Sequence, residues 1–285
     1  MASRGFSINI FIPSGDPAGL RIVEKPNWTG KGLVFERSDL GDVRQRRELD
    51  GPGVYIIWGP GDTGQLPRVY VGEGTTTRER IIAHHKSKDF WISAAVFTSK
   101  DQGLNKAHIQ YLEARLLGLA DEAKRCELDN ANVPQVPSLG EAEAANAESF
   151  LLDMLLCLPM VGVRFFQKPG AQTPATRLLT LRARNITAQG FVDSSGFVVK
   201  SGSQAVMEEL PSIHAYLSVQ RSALIERGVL QRTDDSSCYR LTQDYPFGSP
   251  STAAGVLIGR PANGRLEWKD EAGRTLRDLQ EEDPR

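Results

Sequence analysis

The sequence predicts an α+β protein in which a small antiparallel sheet is flanked by helices. Short apolar and β-branched runs alternate with Gly, Pro and Asp turn residues in the first third of the chain. Two longer segments with helix-start signals follow, and a second series of short strands and helices fills the C-terminal third. With 285 residues, the chain is long enough for two domains.

The pattern divides the chain into four parts. They are a β-rich N-terminal arm (residues 1–48), a sheet-and-helix domain (49–160), a basic linker (161–184) and a separate α+β C-terminal domain (185–285). In the arm, residues 5–12 alternate like a half-buried strand, and Trp28 is expected in the core. The stretch from Leu158 to Val192 carries five cations and no acid. Such a segment either contacts a phosphate backbone or is simply solvated.

The second part begins with two predicted strands, Val54–Trp58 and Arg68–Val71, which we expect to pair as a hairpin. Their loop formally matches the dinucleotide fingerprint GxGxxG, but it leads into a strand and not into a helix, so a Rossmann interpretation is rejected. A helix is predicted over Arg78–His85, with positions 80 and 84 on one face. Two phenols, a guanidinium and an imidazole are therefore expected on one surface; they belong to Tyr55, Tyr70, Arg80 and His84.

A later helix carries a carboxylate in an apolar stripe. Asn105 is predicted to cap this helix, which runs to about Ala120, and Glu113 stands between Ile109 and Leu117. An unpaired carboxylate there would cost on the order of a few kcal/mol through desolvation, so Glu113 is expected to pair with a metal ion or an arginine. Residues 138–141 form a predicted capping box before a helix that ends near residue 158.

The ordered set of residues resembles the GIY-YIG nuclease superfamily over roughly residues 50–132. Gly53-Val54-Tyr55 and Tyr70-Val71-Gly72 correspond to the two tripeptides, and Arg80 and His84 follow at the spacing of the superfamily. The resemblance implies a metal-dependent endonuclease. Its implied site residues are Tyr55, Tyr70, Arg80, His84, Glu113 and Asn130, with Asn132 as the alternative to Asn130.

By this resemblance, Glu113 holds Mg²⁺ or Mn²⁺, and one tyrosine takes a proton from water. Tyr55 is the preferred base, Tyr70 positions or relays, and His84 accepts the proton or holds the phosphate. Tyrosine is an unusual base, because only about one part in a thousand is phenolate at neutral pH unless a cation is near.

Near the C-terminus, the run Asp244-Tyr-Pro-Phe-Gly-Ser-Pro-Ser251 resembles DUF4357, a domain of unknown function often appended to GIY-YIG nucleases, over about residues 225–276. Tyr245 and Trp268 either pack in a core or stack on a base. Asn263-Gly264 is predicted to form a two-residue hairpin turn. Residues 203–210 and 217–227 are predicted to be short helices.

The composition limits the compartment and the classes of partner that we expect. The net charge is −1, no apolar run approaches a membrane span, and the three cysteines form no CxxC pair, so a cytoplasmic protein without membrane, zinc or disulfide is expected. DNA is the preferred substrate, in DNA processing or in defence against foreign DNA. The alternatives are a non-catalytic nucleic-acid-binding or regulatory protein and an RNA-cleaving, toxin-like nuclease. One site makes one nick, so a homodimer is one route to a double-strand break.

Overall fold

The protein is a mixed α+β chain with two compact units, Met1–Gln167 and Lys168–Arg285. The computed structural model describes residues 5–61, 66–101, 103–132, 134–167, 177–193, 196–233 and 237–282. The Pro- and Gly-rich part of the predicted basic linker, Lys168–Pro174, lies outside the described residues.

Among the residues that the structure describes, the N-terminal unit is built on one sheet of seven strands. In chain order they are β1 (Asn9–Phe11), β2 (Arg21–Glu24), β3 (Gly30–Glu36), β4 (Gly53–Pro60), β5 (Pro67–Gly74), β6 (Ser93–Ser99) and β7 (Glu127–Leu128). Their order in the sheet is β1-β2-β3-β6-β4-β5-β7, and all neighbours are antiparallel except β5 and β7. The helices of this unit are α1 (Leu40–Val43), α2 (Thr77–Ser87), α3 (Lys106–Ala123) and α4 (Glu141–Cys157).

The segment predicted as an N-terminal arm contributes β1, β2 and β3 to this same sheet. All seven residues of β3 pair with β6, so the segment is continuous with the strands that carry the tyrosines. The prediction of a half-buried strand over residues 5–12 is wrong in both burial and length. Only Asn9–Phe11 form β1, and all three residues are exposed because β1 is an edge strand bonded to β2 alone. Trp28 is buried, as expected.

The sheet is covered on both faces, because β4 is buried on both sides. Val54 and Ile56 face α3 and α4, while Tyr55 and Ile57 belong to a second core with α2 and Trp91. The predicted hairpin is confirmed, since β4 pairs with β5 from Gly53 opposite Gly74 to Pro60 opposite Pro67. This alternation directs Tyr55 toward α2.

The helices of this unit differ from the prediction mainly at their ends. Asn105 caps α3 as expected, with its side chain accepting from the His108 N–H. The capping box at residues 138–141 is wrong: α4 begins at Glu141 with Gly140 as its cap, and Glu143 accepts from the Gly140 N–H at 3.4 Å.

One segment, Glu141–Val161, is long and apolar enough to cross a membrane by length and composition. This differs from the expectation that no run approaches a span, because the leucines after Phe150 raise the mean hydropathy of the segment despite its polar residues. Phe150, Leu151 and Met154 of α4 are buried in the core of the N-terminal unit, which is the pattern of a core helix.

In its described residues, the C-terminal unit has two small sheets and four helices. The strands are β8 (Leu179–Ala183), β9 (Ile186–Asp193), β10 (Gly196–Val199), β11 (Gln204–Ala205), β12 (Leu230–Arg232), β13 (Tyr239–Leu241) and β14 (Tyr245–Phe247), in the orders β14-β10-β9-β8 and β11-β13-β12. The helices are α5 (Ala215–Glu226), α6 (Pro250–Ile258), α7 (Gly264–Glu267) and α8 (Leu276–Glu282). Residues 203–210 are not helical as predicted, since β11 lies there, whereas the predicted helix at 217–227 corresponds to α5.

The motif of residues 244–251 organises the start of α6. Asp244 accepts from the Ser201 N–H and the Lys200 ammonium, both at 2.8 Å. Ser249 caps α6, and Ser251 accepts from the Gly264 N–H. Each of these polar groups therefore has a structural partner.

The two C-terminal aromatic residues are packed and not presented to solvent. Tyr245 and Trp268 are buried, and Trp268 Nε1 donates to the Pro250 carbonyl at 3.0 Å. The hairpin predicted at Asn263-Gly264 is wrong. Asn263 instead caps α7 by accepting from the Arg265 N–H, because an asparagine side chain can satisfy a free helix N–H as readily as it can form a tight turn.

A buried arginine ties this unit together, and its removal is expected to destabilise it. Arg221 is 2% exposed and donates to the carbonyls of Val206 and Val256, the latter at 2.6 Å. Arg221→Met leaves these carbonyls unpaired in the core, so we expect a loss of about 3 kcal/mol of unfolding free energy. Urea unfolding of the full chain measures it. Arg240→Met, at an exposed arginine, is the matched control, and an equal stability of both variants would contradict the assignment.

Candidate active site

Two tyrosines lie side by side on the α2 face of the sheet. Tyr55 of β4 and Tyr70 of β5 have ring centroids 6.2 Å apart. Gly72 is the strand partner of Tyr55, and a Cβ built on it would lie 2.3 Å from the Tyr55 hydroxyl oxygen. Only glycine therefore leaves room for this phenol to lie across β5.

Helix α2 brings a base and a cation to the same phenol. His84 Nε2 is 2.8 Å from Tyr55 Oη, and its ring centroid is 4.7 Å from that of Tyr70. Arg80, one turn earlier, lies close enough to the Tyr55 hydroxyl for its charge to act on the pKa of that phenol. The residue Arg80 is exposed, whereas Tyr55 is fully buried, so a solvent-facing cation stands over a buried hydroxyl.

The electrostatics of this cluster keep its phenol protonated and its imidazole neutral. Burial and the neighbouring Tyr70 raise the pKa of Tyr55 well above its ordinary value, although Arg80 opposes this. Burial, together with Lys88 and Arg80, lowers the pKa of His84 to about 4. At neutral pH a neutral imidazole therefore faces a protonated phenol, and its Nε2 is able to act as a proton acceptor.

The carboxylate predicted from the apolar stripe lies next to a second one. Glu113 is half-buried on α3, and both the charge and the backbone of Glu73 are close enough to act on its pKa. Burial and the charge of Glu73 raise the pKa of Glu113 to about 7. In the described part of the chain, no arginine or lysine forms an ion pair with Glu113, while Glu73 pairs with Lys106. The sequence analysis missed Glu73, although it follows the Tyr-Val-Gly tripeptide directly.

The outer edge of β5 explains how residues from both faces of the sheet meet. Alternate residues of a strand direct their backbone groups to the same edge. The Val69 carbonyl accepts from the Asp129 N–H, and Asn130 clamps Val71. Glu73, the next residue in this alternation, lies near Glu113. β7 pairs with β5 only at positions 68 and 69, so the edge beyond Val71 is open to side chains.

Asn130 acts on the backbone. Its Oδ1 accepts from the Val71 N–H at 3.0 Å and its Nδ2 donates to the Val71 carbonyl at 2.8 Å, so the side chain takes the place of a strand residue. Asn132 is exposed. The geometry thus distinguishes the two candidates and gives Asn130 a positioning role beside Tyr70.

Removal of the Asn130 amide is expected to loosen this strand edge. Asn130→Ala leaves two backbone groups of Val71 without their partner, so we expect a loss of about 1–3 kcal/mol of unfolding free energy. The exposed Asn132→Ala is the matched control and should be neutral within about 0.5 kcal/mol. Chemical denaturation of both variants measures the difference, and equal effects would refute the clamp.

Lys88 and Asp129, which the sequence did not indicate as site residues, hold Tyr70 in place. The Lys88 ammonium lies 4.4 Å from the Tyr70 ring centroid and forms an ion pair with Asp129. Asp129 also binds Arg68. A cation over a ring face is attracted by the ring quadrupole, so the Lys88 ammonium stabilises the position of the Tyr70 ring. The only sequence signal for Lys88 is its position four residues after His84.

The site thus has two adjoining parts. The α2 face brings together Tyr55, Tyr70, Arg80 and His84. The open edge of β5 brings Glu113 and Glu73 into electrostatic range of Arg80. Such an arrangement is able to bind an anion, hold a divalent cation and move a proton.

Comparison with known proteins concerns the C-terminal unit. A family model described as a domain of unknown function, DUF4357, matches residues 179–280. No GIY-YIG family model matches the chain, and no curated protein or solved structure does so either. The nuclease resemblance therefore stays a prediction. The matched range is longer than the range of about 225–276 predicted from the sequence, because the match starts at Leu179, the first residue of β8. Residues 179–280 of this chain therefore form a DUF4357 domain.

Proposed function

We propose that the chain is a metal-dependent endonuclease that hydrolyses DNA phosphodiester bonds, in DNA processing or in defence against foreign DNA. The observation that carries the proposal is the contact of 2.8 Å between Tyr55 Oη and His84 Nε2, with the charge of Arg80 close to the same hydroxyl. A buried phenol needs one polar partner, whereas this one has both a base and a cation. Proton transfer beside a phosphate requires both.

Arg80 is proposed to bind the scissile phosphate. Its guanidinium presents five donors in a planar fork that matches phosphate oxygens, so its contact with Tyr55 leaves other donors for the substrate. The exposure of Arg80 supports this role, because a phosphate approaching from solvent meets it before the buried phenol.

Tyr55 is proposed to take the proton of the attacking water, with Tyr70 positioning or relaying it. Because the raised pKa of Tyr55 prevents phenolate from accumulating at neutral pH, a proton that reaches this hydroxyl must be passed on. His84 Nε2 is in contact with the hydroxyl, and the imidazole is neutral, so His84 is proposed to receive that proton.

Glu113 and Glu73 fit a hard divalent cation. Mg²⁺ prefers carboxylate oxygens and takes only one or two from the protein. Glu73 Oε2 is buried and has no hydrogen-bond partner, and the mutual repulsion of the two carboxylates would be relieved by a cation. The described residues contain no cluster of three or more His, Cys, Asp or Glu. A bound divalent cation would supply charge stabilisation for the phosphate and the leaving oxygen.

Cleavage assays test the proposal directly. Supercoiled plasmid, single-stranded DNA and RNA are incubated with the full chain in Mg²⁺, in Mn²⁺ and in EDTA, beside Arg80→Ala and the exposed control Arg44→Ala. We expect metal-dependent DNA cleavage that is lost in Arg80→Ala and retained in Arg44→Ala. Binding without cleavage in either metal would favour the non-catalytic alternative, and cleavage of RNA alone would favour the RNA nuclease.

A further inference from the structure

A charged cleft of about 950 Å³ lies on the N-terminal unit at the beginning of β4. One wall is the single-turn helix Arg47–Asp50, the opposite wall is the end of β6 with Lys100, and Gly51 and Pro52 lie between them. Its charged lining residues are Lys31, Arg46, Arg47, Glu48, Asp50 and Lys100.

The acidic residues that line this cleft form ion pairs, whereas two of its basic residues form none within the described ranges. Glu48 is bound by Arg46 at 2.7 Å and by Lys31 at 3.6 Å. Asp50 is bound by Arg78 of α2 at 2.6 Å. Arg47 and Lys100 are exposed, and neither forms an ion pair within the described ranges. The cleft therefore presents an excess of positive charge to solvent, which the Asp101 carboxylate offsets in part beside Lys100. Such an excess favours a polyanion.

The cleft adjoins the candidate active site through the first turn of α2. Arg78 donates to the Arg46 carbonyl at 3.1 Å, and two residues later the same helix carries Arg80. The stem of Arg80 rests on Gly74, where a Cβ would lie 2.8 Å from Arg80 Cγ, and Gly74 is the strand partner of Gly53. Gly53 follows Pro52 of the cleft, so the strand pair Gly53–Gly74 joins the cleft to the stem of Arg80.

We propose that this cleft binds the sugar-phosphate backbone of a DNA strand next to the scissile phosphate, with Arg47 and Lys100 as its phosphate contacts. The proposal rests on the proposed nuclease function for the position of the scissile phosphate. A sugar-phosphate backbone suits this lining, because most of the lining side chains are charged or polar and the larger apolar ones are Pro52 and Leu104.

Binding in EDTA tests the cleft without cleavage. The double variant Arg47→Ala/Lys100→Ala is compared with Arg44→Ala/Lys86→Ala, which removes two exposed cations outside the cleft. Fluorescence anisotropy with labelled single-stranded, duplex DNA and RNA oligonucleotides is recorded over a salt series. We expect the cleft variant to weaken DNA binding and to reduce the slope of log K against log salt by about 1.4–1.8, and the control to keep the wild-type slope.

The outcomes separate this proposal from the proposed function. An unchanged slope and affinity in the cleft variant overturns the cleft proposal, even if the wild type cleaves DNA. A selective loss of RNA binding overturns the choice of DNA. If the cleft variant loses DNA binding and the wild type cleaves nothing in any metal, the cleft proposal stands and the nuclease proposal fails. Circular dichroism verifies that both double variants are folded.

Discussion

Glu113→Gln is expected to abolish metal-dependent cleavage and, at the same time, to stabilise the N-terminal unit at neutral pH. The carboxylate is proposed to hold the divalent cation, and an amide is a much poorer ligand for a hard cation. In the absence of metal, however, this carboxylate is half-buried beside Glu73, and burial with like charge raises its pKa to about 7. Replacement by a neutral isostere removes the free-energy cost of burying this charge beside a like charge.

The sign of the pH dependence follows from the raised pKa. The folded chain binds a proton at Glu113 up to about pH 7, whereas the unfolded chain releases it near the ordinary value of 4.5. The stability that Glu113 contributes is fully present below that ordinary value and is lost as the pH rises through about 7. Above pH 7 we therefore expect the free energy of unfolding of Glu113→Gln to exceed that of the wild type by on the order of 1 kcal/mol, a figure that allows for solvent screening. Near pH 4 the two free energies should be equal.

Thermal unfolding in EDTA from pH 4 to pH 8 measures this difference, and plasmid cleavage in Mg²⁺ measures the loss of activity. DNA binding by the variant in EDTA should equal that of the wild type. Glu79→Gln, at an exposed carboxylate on α2, is the matched control and should alter neither property. Full cleavage by Glu113→Gln would refute its role as metal ligand, and a variant less stable than wild type at pH 8 would refute the electrostatic account.

Tyr55→Phe is expected to lower kcat by about 10²- to 10⁴-fold, the usual contribution of a general base. The variant keeps the ring that packs against Tyr70 and removes only the hydroxyl between His84 and Arg80. KM should change little, because Arg80 remains to bind the phosphate. The lost contact should also cost about 1 kcal/mol of stability, since the imidazole nitrogen stays buried.

Tyr70→Phe is the matched comparison for this prediction. Its ring keeps the contacts with His84 and Lys88, so a smaller loss of kcat is expected if Tyr70 positions or relays. Steady-state kinetics on a DNA substrate, with circular dichroism as the folding control, distinguishes the two tyrosines. A normal kcat for Tyr55→Phe together with an inactive Tyr70→Phe would assign the base to Tyr70.

The predictable part of the fold lies where local chemistry agrees with the tertiary contacts. The β4–β5 hairpin, α2 and the cap at Asn105 are set by alternation, helical spacing and a side chain that satisfies its own helix end. Local signals failed where two local structures compete. Asn263-Gly264 has the composition of a tight turn but caps α7, and residues 203–210 have helical composition but include β11.

Those parts of the candidate site that depend on spacing within one helix or one hairpin could be predicted from the sequence. The spacing between Arg80 and His84 places both on one turn of α2, and the hairpin register places Tyr55 beside Tyr70. Asp129, Lys88 and Glu73 carry no comparable signal, because each enters the site through a contact with a residue distant in sequence. The pairing of Lys88 with Asp129 spans 41 residues.

The sequence by itself determined the α+β class, the hairpin and its glycine, the helix with Arg80 and His84, and the C-terminal DUF4357 resemblance. These features depend on periodicity and spacing, which act within a few residues. Only the tertiary structure decided that Asn130 clamps Val71 while Asn132 remains exposed, that Glu113 faces Glu73, and that the N-terminal strands complete the sheet. The first two outcomes depend on which groups meet at the open edge of β5, and the third depends on the pairing of β3 with β6. Burial and strand pairing are properties of the folded chain.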